Sequence, residues 1–289
     1  MDEARVRELL RDQFPQWADL PLVEWHEQGT DHTLFRLGDH MVVRMPIRPF
    51  NGQPVEKQQC GREARWLPYL APHLPFELPE QLGLGEPEGD YPWHWSIVSW
   101  VDGARAERGN FDDDAAAVDL AGFVRSLHAI DATDGPRASL SVNWGRGQSL
   151  RPGADRIREA IDRVSDRYDT APMRAAWDAA IEADEWDHPP VWFHGDLHGN
   201  LIVRERRIVG VIDSPYGVGD PACDLSPGWT LFSGKARQRF FDEVGLDEAT
   251  RIRARGWVLG PACNGLTYYA NVPSMLKNML GAIECALAD

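Results

Sequence analysis

The stretch Val191-Trp192-Phe193-His194-Gly195-Asp196-Leu197-His198-Gly199-Asn200-Leu201-Ile202-Val203 decides how this chain is read. Its two apolar ends have the character of short strands, and its polar centre, with two glycines, is the loop that joins them. Further on, the apolar run Ile208–Ile212 ends at Asp213. Phosphoryl transfer from a nucleotide needs a carboxylate to orient and accept the proton of the attacking hydroxyl. It also needs oxygen ligands that hold Mg²⁺ on the phosphates. An Asp, a nearby amide oxygen and a second Asp at a strand end make up such a set, with Asp196 as base and Asn200 and Asp213 as ligands. Hard oxygen donors suit Mg²⁺ rather than zinc. A D-x-H-G run also opens two-metal phosphoesterase sites, but those need further histidines downstream. Every histidine of this chain lies at or before His198, so that reading fails on ligand count.

Upstream of this strip, Val6, Leu9, Leu10 and Phe14 fall at helical spacing. Three apolar stretches follow, Leu22–Trp25, Thr33–Leu37 and Met41–Met45, separated by Gly29-Thr30-Asp31-His32 and Gly38-Asp39-His40. They predict a small antiparallel meander, ended by Pro46 and Pro49. A helix is expected over Glu56–Leu70, then a Pro- and Gly-rich passage, then a strand over Trp95–Trp100 that runs into Asp102-Gly103. Beyond residue 104 the pattern is mainly helical. Leu120, Phe123, Val124, Leu127 and Ile130 share one face, with Asp112–Asp114 at its N-terminal end. Residues 133–154 have the composition of a surface loop, helices are expected at about 155–167 and 172–185, and more from Trp229 to Leu287. Trp66, Trp100 and Trp192 are expected in the core. The fold class is α+β and bilobal. Residues 1–101 form a small β-rich lobe, and residues 102–289 a larger, mainly helical lobe that carries the catalytic and metal loops.

Composition narrows the partners. The 289 residues carry 45 acids against 30 Lys plus Arg, a net charge of −15. That balance excludes a nucleic-acid binder, which needs cations to neutralise phosphates, and an anionic membrane surface. It permits a cationic small molecule. No apolar run reaches the ~18 residues of a membrane span. The opening MDEARVREL has acids where a signal peptide is cationic and then apolar, so a cytoplasmic protein is expected. Cys60, Cys223, Cys263 and Cys285 are widely spaced and read as reduced thiols.

Over nearly its whole length the chain resembles the aminoglycoside phosphotransferase family of the protein-kinase-like superfamily. The motifs that carry the likeness are GTDHTLFRLGDHMVVRMP, EARWLPYLAPHLP and YPWHWSIVSWVDG in the first part. In the second they are LAGFVRSLHAID, WFHGDLHGNLIV, GVIDSPYGVGDPACDL and the late RGW. The resemblance implies a kinase that moves the γ-phosphate of ATP, with GTP as the other candidate, to a hydroxyl of a small molecule, an aminoglycoside antibiotic among them. It implies Mg²⁺ as cofactor and antibiotic resistance as a role. It matches Asp196 to the catalytic Asp, Asn200 and Asp213 to the metal ligands, and Arg44 to the basic residue on the nucleotide phosphates. Glu63 matches the acidic partner of that residue, and Trp100, Val101 and Asp102 line the adenine pocket. Two loops are a residue shorter than the family pattern: Asn200 follows Asp196 by four positions instead of five, and Ser214-Pro215 follows Asp213. The alternatives are a kinase of a sugar, amino alcohol or macrolide, and a nucleotide-binding regulator without turnover. Within the same strip, His194 reads as a structural histidine, and Asp220 and Asp224 as loop organisers or helix caps.

Overall fold

Helical spacing of Val6, Leu9 and Leu10 buries all three on one face of a helix over Glu3–Gln13 in a computed structural model of the chain, which describes residues 1–26, 32–47, 61–139, 145–213 and 216–288. Asp2 caps that helix by accepting the Arg5 N–H at 2.9 Å. The apolar stretches form β1 (Leu22–Trp25), β2 (His32–Leu37) and β3 (Met41–Pro46), with β4 (Gln81–Gly85) and β5 (Trp95–Ser99) completing an antiparallel sheet of order β1-β2-β3-β5-β4. Gly38, at φ +58, makes the left-handed turn between β2 and β3. Phe35, Val43, Met45, Trp95 and Ile97 pack with the opening helix into one core.

Trp95 is fully buried there, and it fits because the residue beside it is Gly85, where a Cβ would lie 2.0 Å from the indole. Trp66 and Trp100 are only half-buried, against the expectation that both belong to the core. Trp100 instead offers its face to the Arg36 guanidinium, 3.8 Å from the ring centre, and meets the Trp25 ring edge-on. Of the helix expected over Glu56–Leu70, Arg62–Leu70 is helical, and its first residues lie outside those described. The same holds for Gly29–Asp31, Pro49, Cys60 and Ser214-Pro215.

The chain divides into two compact units, Met1–Gly103 with Gly210–Ile212, and Ala104–Val209 with Asp213–Asp289. Residues 210–212 group with the first because the Val211 N–H donates to the Glu77 carbonyl at 3.0 Å.

In the second unit the helix Asp113–His128 is capped by Asp112, which accepts the Ala115 N–H at 3.0 Å. Its buried stripe includes Leu120, Phe123, Val124 and Leu127, each contributing roughly 1.5–3 kcal/mol by leaving water. Helices Ala154–Asp162 and Ala171–Glu182 stop several residues short of the expected ends. Two small sheets carry the polar loops. β7 (Val191–Phe193) pairs antiparallel with β10 (Gly217–Gly219), and β6 (Ala104–Arg105), β8 (Leu201–Arg204) and β9 (Arg207–Val211) form the other, in order β6-β8-β9. Helices Gly234–Val244, Glu248–Tyr268 and Pro273–Leu287 complete the unit. No helix among the described residues is long and apolar enough to cross a membrane.

Candidate active site

β7 ends at Phe193 and β8 begins at Leu201, so the loop between them runs from one buried strand to the next. Gly195 and Gly199 take left-handed φ of +84° and +82°, which let the chain reverse within so few residues. The loop's backbone is held from below. Asp224, fully buried in the turn Pro221–Leu225, accepts the His194 N–H at 3.0 Å and the Gly195 N–H at 2.7 Å. His128 Nε2 lies 3.5 Å from the same carboxylate. His194 is buried as well, its Nδ1 accepting the Asp196 N–H at 3.1 Å and its ring set edge-on to Tyr216. That is a structural histidine, bonded to backbone.

This framework leaves the Asp196 side chain partly exposed, with Arg146 Nη2 3.2 Å from Oδ1. Asn200 is nearly buried, and its Nδ2 donates to the Asp196 carbonyl at 2.8 Å. The loop thus joins two of the three residues singled out for chemistry. Its far end is tied by Arg105 Nη1, which donates to the Gly199 carbonyl at 3.2 Å. Asp213 is exposed just after β9, at a φ of +56° that few non-glycine residues adopt. His198, in the same loop as Asp196, is exposed.

In the first unit, Arg44 on β3 meets Glu63 on the helix Arg62–Leu70, with Nη1 and Oε2 2.6 Å apart and side chains 15% and 9% exposed. At that burial the pair is largely shielded from water, unlike an exposed one. The Trp100 N–H donates to the His40 carbonyl at 2.8 Å, Val101 is buried and Asp102 exposed. Burial under the indole pushes the Arg36 pKa down, against the pull of Asp102 and Asp39.

Two residues of consequence, Arg253 and Arg146, lie outside the stretches that the sequence singles out for chemistry. Arg253, on the helix Glu248–Tyr268, grips Asp220 through Nε at 2.8 Å and Nη2 at 3.2 Å, both side chains being buried. Asp220 also accepts the Ala222 N–H at 2.9 Å, which fixes the start of the turn that carries Asp224. Arg146 comes from the stretch that reads as surface loop. The one signal that marks it is its place between two glycines, Gly145 and Gly147.

Asn200 and Asp213 fit a hard cation chemically. With Nδ2 engaged, the Asn200 amide has its oxygen as the remaining donor, and Asp213 offers a carboxylate. Among the described residues no group of three His, Cys, Asp or Glu is placed to hold a metal. A short ligand set of this kind is how Mg²⁺ is bound when substrate phosphates supply the other oxygens.

Comparison with known proteins follows the same line. The family model described as a phosphotransferase enzyme family matches residues 23–257. The streptomycin 6-kinase of Streptomyces griseus is 32% identical over 174 residues, 56% of this chain and 54% of that protein. The chain therefore spans about half the length of the curated relatives it matches. Among solved structures, the GDP complex of wild-type aminoglycoside 2'-phosphotransferase-IIIa covers 100% of this chain and 99% of its own. Its TM-score is 0.72 at 19% identity. The streptomycin–ATP ternary complex of APH(2")-IIa covers 96% of each chain with a TM-score of 0.61 at 19% identity. These likenesses show a shared kinase-like α+β fold.

Proposed function

Since the chain belongs to the phosphotransferase enzyme family, we propose that it is a small-molecule kinase that moves the γ-phosphate of ATP or GTP to a hydroxyl of its acceptor. The observation that carries this reading is the loop 194–200. A half-exposed Asp196 stands on a backbone bolted to buried Asp224, with Asn200 bonded to its carbonyl. Asp196 orients the acceptor hydroxyl and takes its proton, which is the task a positioned carboxylate performs in phosphoryl transfer. Asn200 and Asp213 hold Mg²⁺, which when bound offsets the charge of the nucleotide phosphates. Arg44, steadied by Glu63, binds those phosphates, and an Arg in this position can do so bidentately. Trp100, Val101 and Asp102 receive the base through backbone groups.

The acceptor we propose is an aminoglycoside, with streptomycin first to try, on the strength of the streptomycin 6-kinase relatives. A cationic acceptor agrees with the net charge of −15. A role in antibiotic resistance follows from that choice, and a cytoplasmic location from the supply of nucleoside triphosphate and Mg²⁺. The test is nucleoside diphosphate release with Mg-ATP or Mg-GTP. It is run across a panel of streptomycin, other aminoglycosides, macrolides, amino sugars and amino alcohols, with mass spectrometry of the products. An acceptor heavier by one phosphate is expected. A chain that binds nucleotide and phosphorylates nothing refutes the proposal in favour of a regulator.

A further inference from the structure

The turn Gly145-Arg146-Gly147 has no part in the roles given above, yet its backbone is held at several points. The Gly145 N–H donates to the Ser139 carbonyl at 3.1 Å, the Gln148 N–H to the Gly145 carbonyl at 3.0 Å, and the Asp220 N–H to the Gly147 carbonyl at 2.8 Å. Gly145 and Gly147 both take left-handed φ, +79° and +75°. At Gly147 a Cβ would lie 2.0 Å from Phe193 Cε1, so the turn is seated directly on the strand that leads into the loop of Asp196. The stem of Arg146 lies over Gly195, where a Cβ would come within 3.0 Å of Arg146 Cδ. From there the guanidinium reaches Asp196, Nη2 to Oδ1 at 3.2 Å.

Arg146 and Asp196 are 24% and 39% exposed. An ion pair on free side chains at that exposure holds little, because both partners stay mobile and hydrated. Here the turn that carries the cation is fixed to the strand and the loop that carry the anion, so the pair fixes a direction. The terminal torsion of an aspartate is soft and broad, and without a partner the carboxylate plane swings. We infer that Arg146 is a positioning residue: it holds Asp196 Oδ1, sets the plane of the carboxylate and presents Oδ2 to the acceptor hydroxyl.

This rests on the reading of Asp196 as the base. The step it serves moves the hydroxyl proton to Oδ2 while the acceptor oxygen bonds the γ-phosphorus. The bond from that phosphorus to the β,γ-bridging oxygen breaks, and nucleoside diphosphate leaves.

The test uses the full chain with whichever acceptor of the panel it phosphorylates, and compares Arg146→Ala, Arg146→Lys and Asp196→Ala. Arg146→Ala is expected to lose about 10–100-fold in kcat, the scale of a misoriented reacting group, with the KM for nucleotide changed by no more than about twofold. Added methylguanidinium restores part of the kcat of Arg146→Ala and none of that of Asp196→Ala. Arg146→Lys falls between, since an ammonium cannot hold the carboxylate plane as a guanidinium does. A full kcat in Arg146→Ala overturns the inference. So does a loss that follows thermal stability and does not respond to methylguanidinium. An active wild type with Asp196→Ala inactive and Arg146→Ala unimpaired overturns this inference alone, whereas an Asp196→Ala enzyme with normal turnover overturns the reading beneath it.

Discussion

Replacing Asp224 by alanine should loosen the loop of Asp196 without touching it. The Asp224 side chain is fully buried and its two oxygens accept the N–H groups of His194 and Gly195, at 3.0 and 2.7 Å. Alanine leaves both N–H groups buried without an acceptor, at about 1–3 kcal/mol each. Some of that is offset because a carboxylate no longer has to be desolvated. A net loss of about 2–4 kcal/mol is expected. For a unit of this size a change of 1 kcal/mol moves Tm by roughly 2–4 °C, so the melting temperature should fall by about 5–15 °C. Asp224→Asn keeps an oxygen for one N–H but sets an NH₂ donor against the other, so it should cost about as much as alanine. Thermal and urea melts of the full chain, followed by tryptophan fluorescence, read both variants, and an unchanged urea m-value shows that the unfolding reaction is the same one. Turnover should fall further than the lost stability accounts for, because the backbone that aims Asp196 has lost its anchor. An alanine variant that melts within about 1 °C of wild type with normal turnover refutes the anchoring role.

Asp196→Ala should bind nucleotide as wild type does, by calorimetry, and lose at least ~10²-fold in turnover; near-normal turnover sinks its assignment as base. Asp213→Asn keeps a residue that tolerates the left-handed backbone and removes only the charge, so it should need roughly tenfold more Mg²⁺ for half-maximal activity, and an unshifted Mg²⁺ titration counts against its ligand role. Burial pushes the Cys263 thiol up to about 12 from 9.0. A thiol reagent at pH 8 should therefore leave Cys263 untouched until the chain is unfolded, and rapid labelling in the native protein contradicts its burial. Because its folded pKa is raised, Cys263 contributes its stability fully below about 9, and the contribution declines as the pH rises toward 12, visible as a falling urea midpoint.

Much of the framework is legible from local pattern. The opening helix is set by three apolar residues at helical spacing, and β1, β2 and β3 by apolar stretches broken at glycine-containing turns. Helix ends are less legible than helix faces: the helix beginning at Ala171 stops where no buried residue follows, whereas the one beginning at Ala154 passes into tight turns, Val164 N–H to the Ile161 carbonyl at 3.2 Å, although Val164 is still buried. Trp66 and Trp100 show the limit of composition, since an aromatic residue serves equally as filling for a core or as a platform for a cation.

For this protein the sequence by itself determined the kind of chemistry available. The residue types in HGDLHGN and Asp213 after the next apolar run supply two carboxylates and an amide oxygen, the set the proposed phosphoryl transfer needs, and turn residues put them in loops at strand ends. Only the tertiary structure decided what holds them. Asp224 and Arg146 reach the loop from distant parts of the chain, and Arg253 holds Asp220 at the start of the turn that carries Asp224, through contacts that no periodicity encodes. A strand's alternation reports which face is buried, whereas the partner of a buried carboxylate is set by where the chain returns. That return is fixed by packing, at Gly147 against Phe193 and at Arg253 against Asp220.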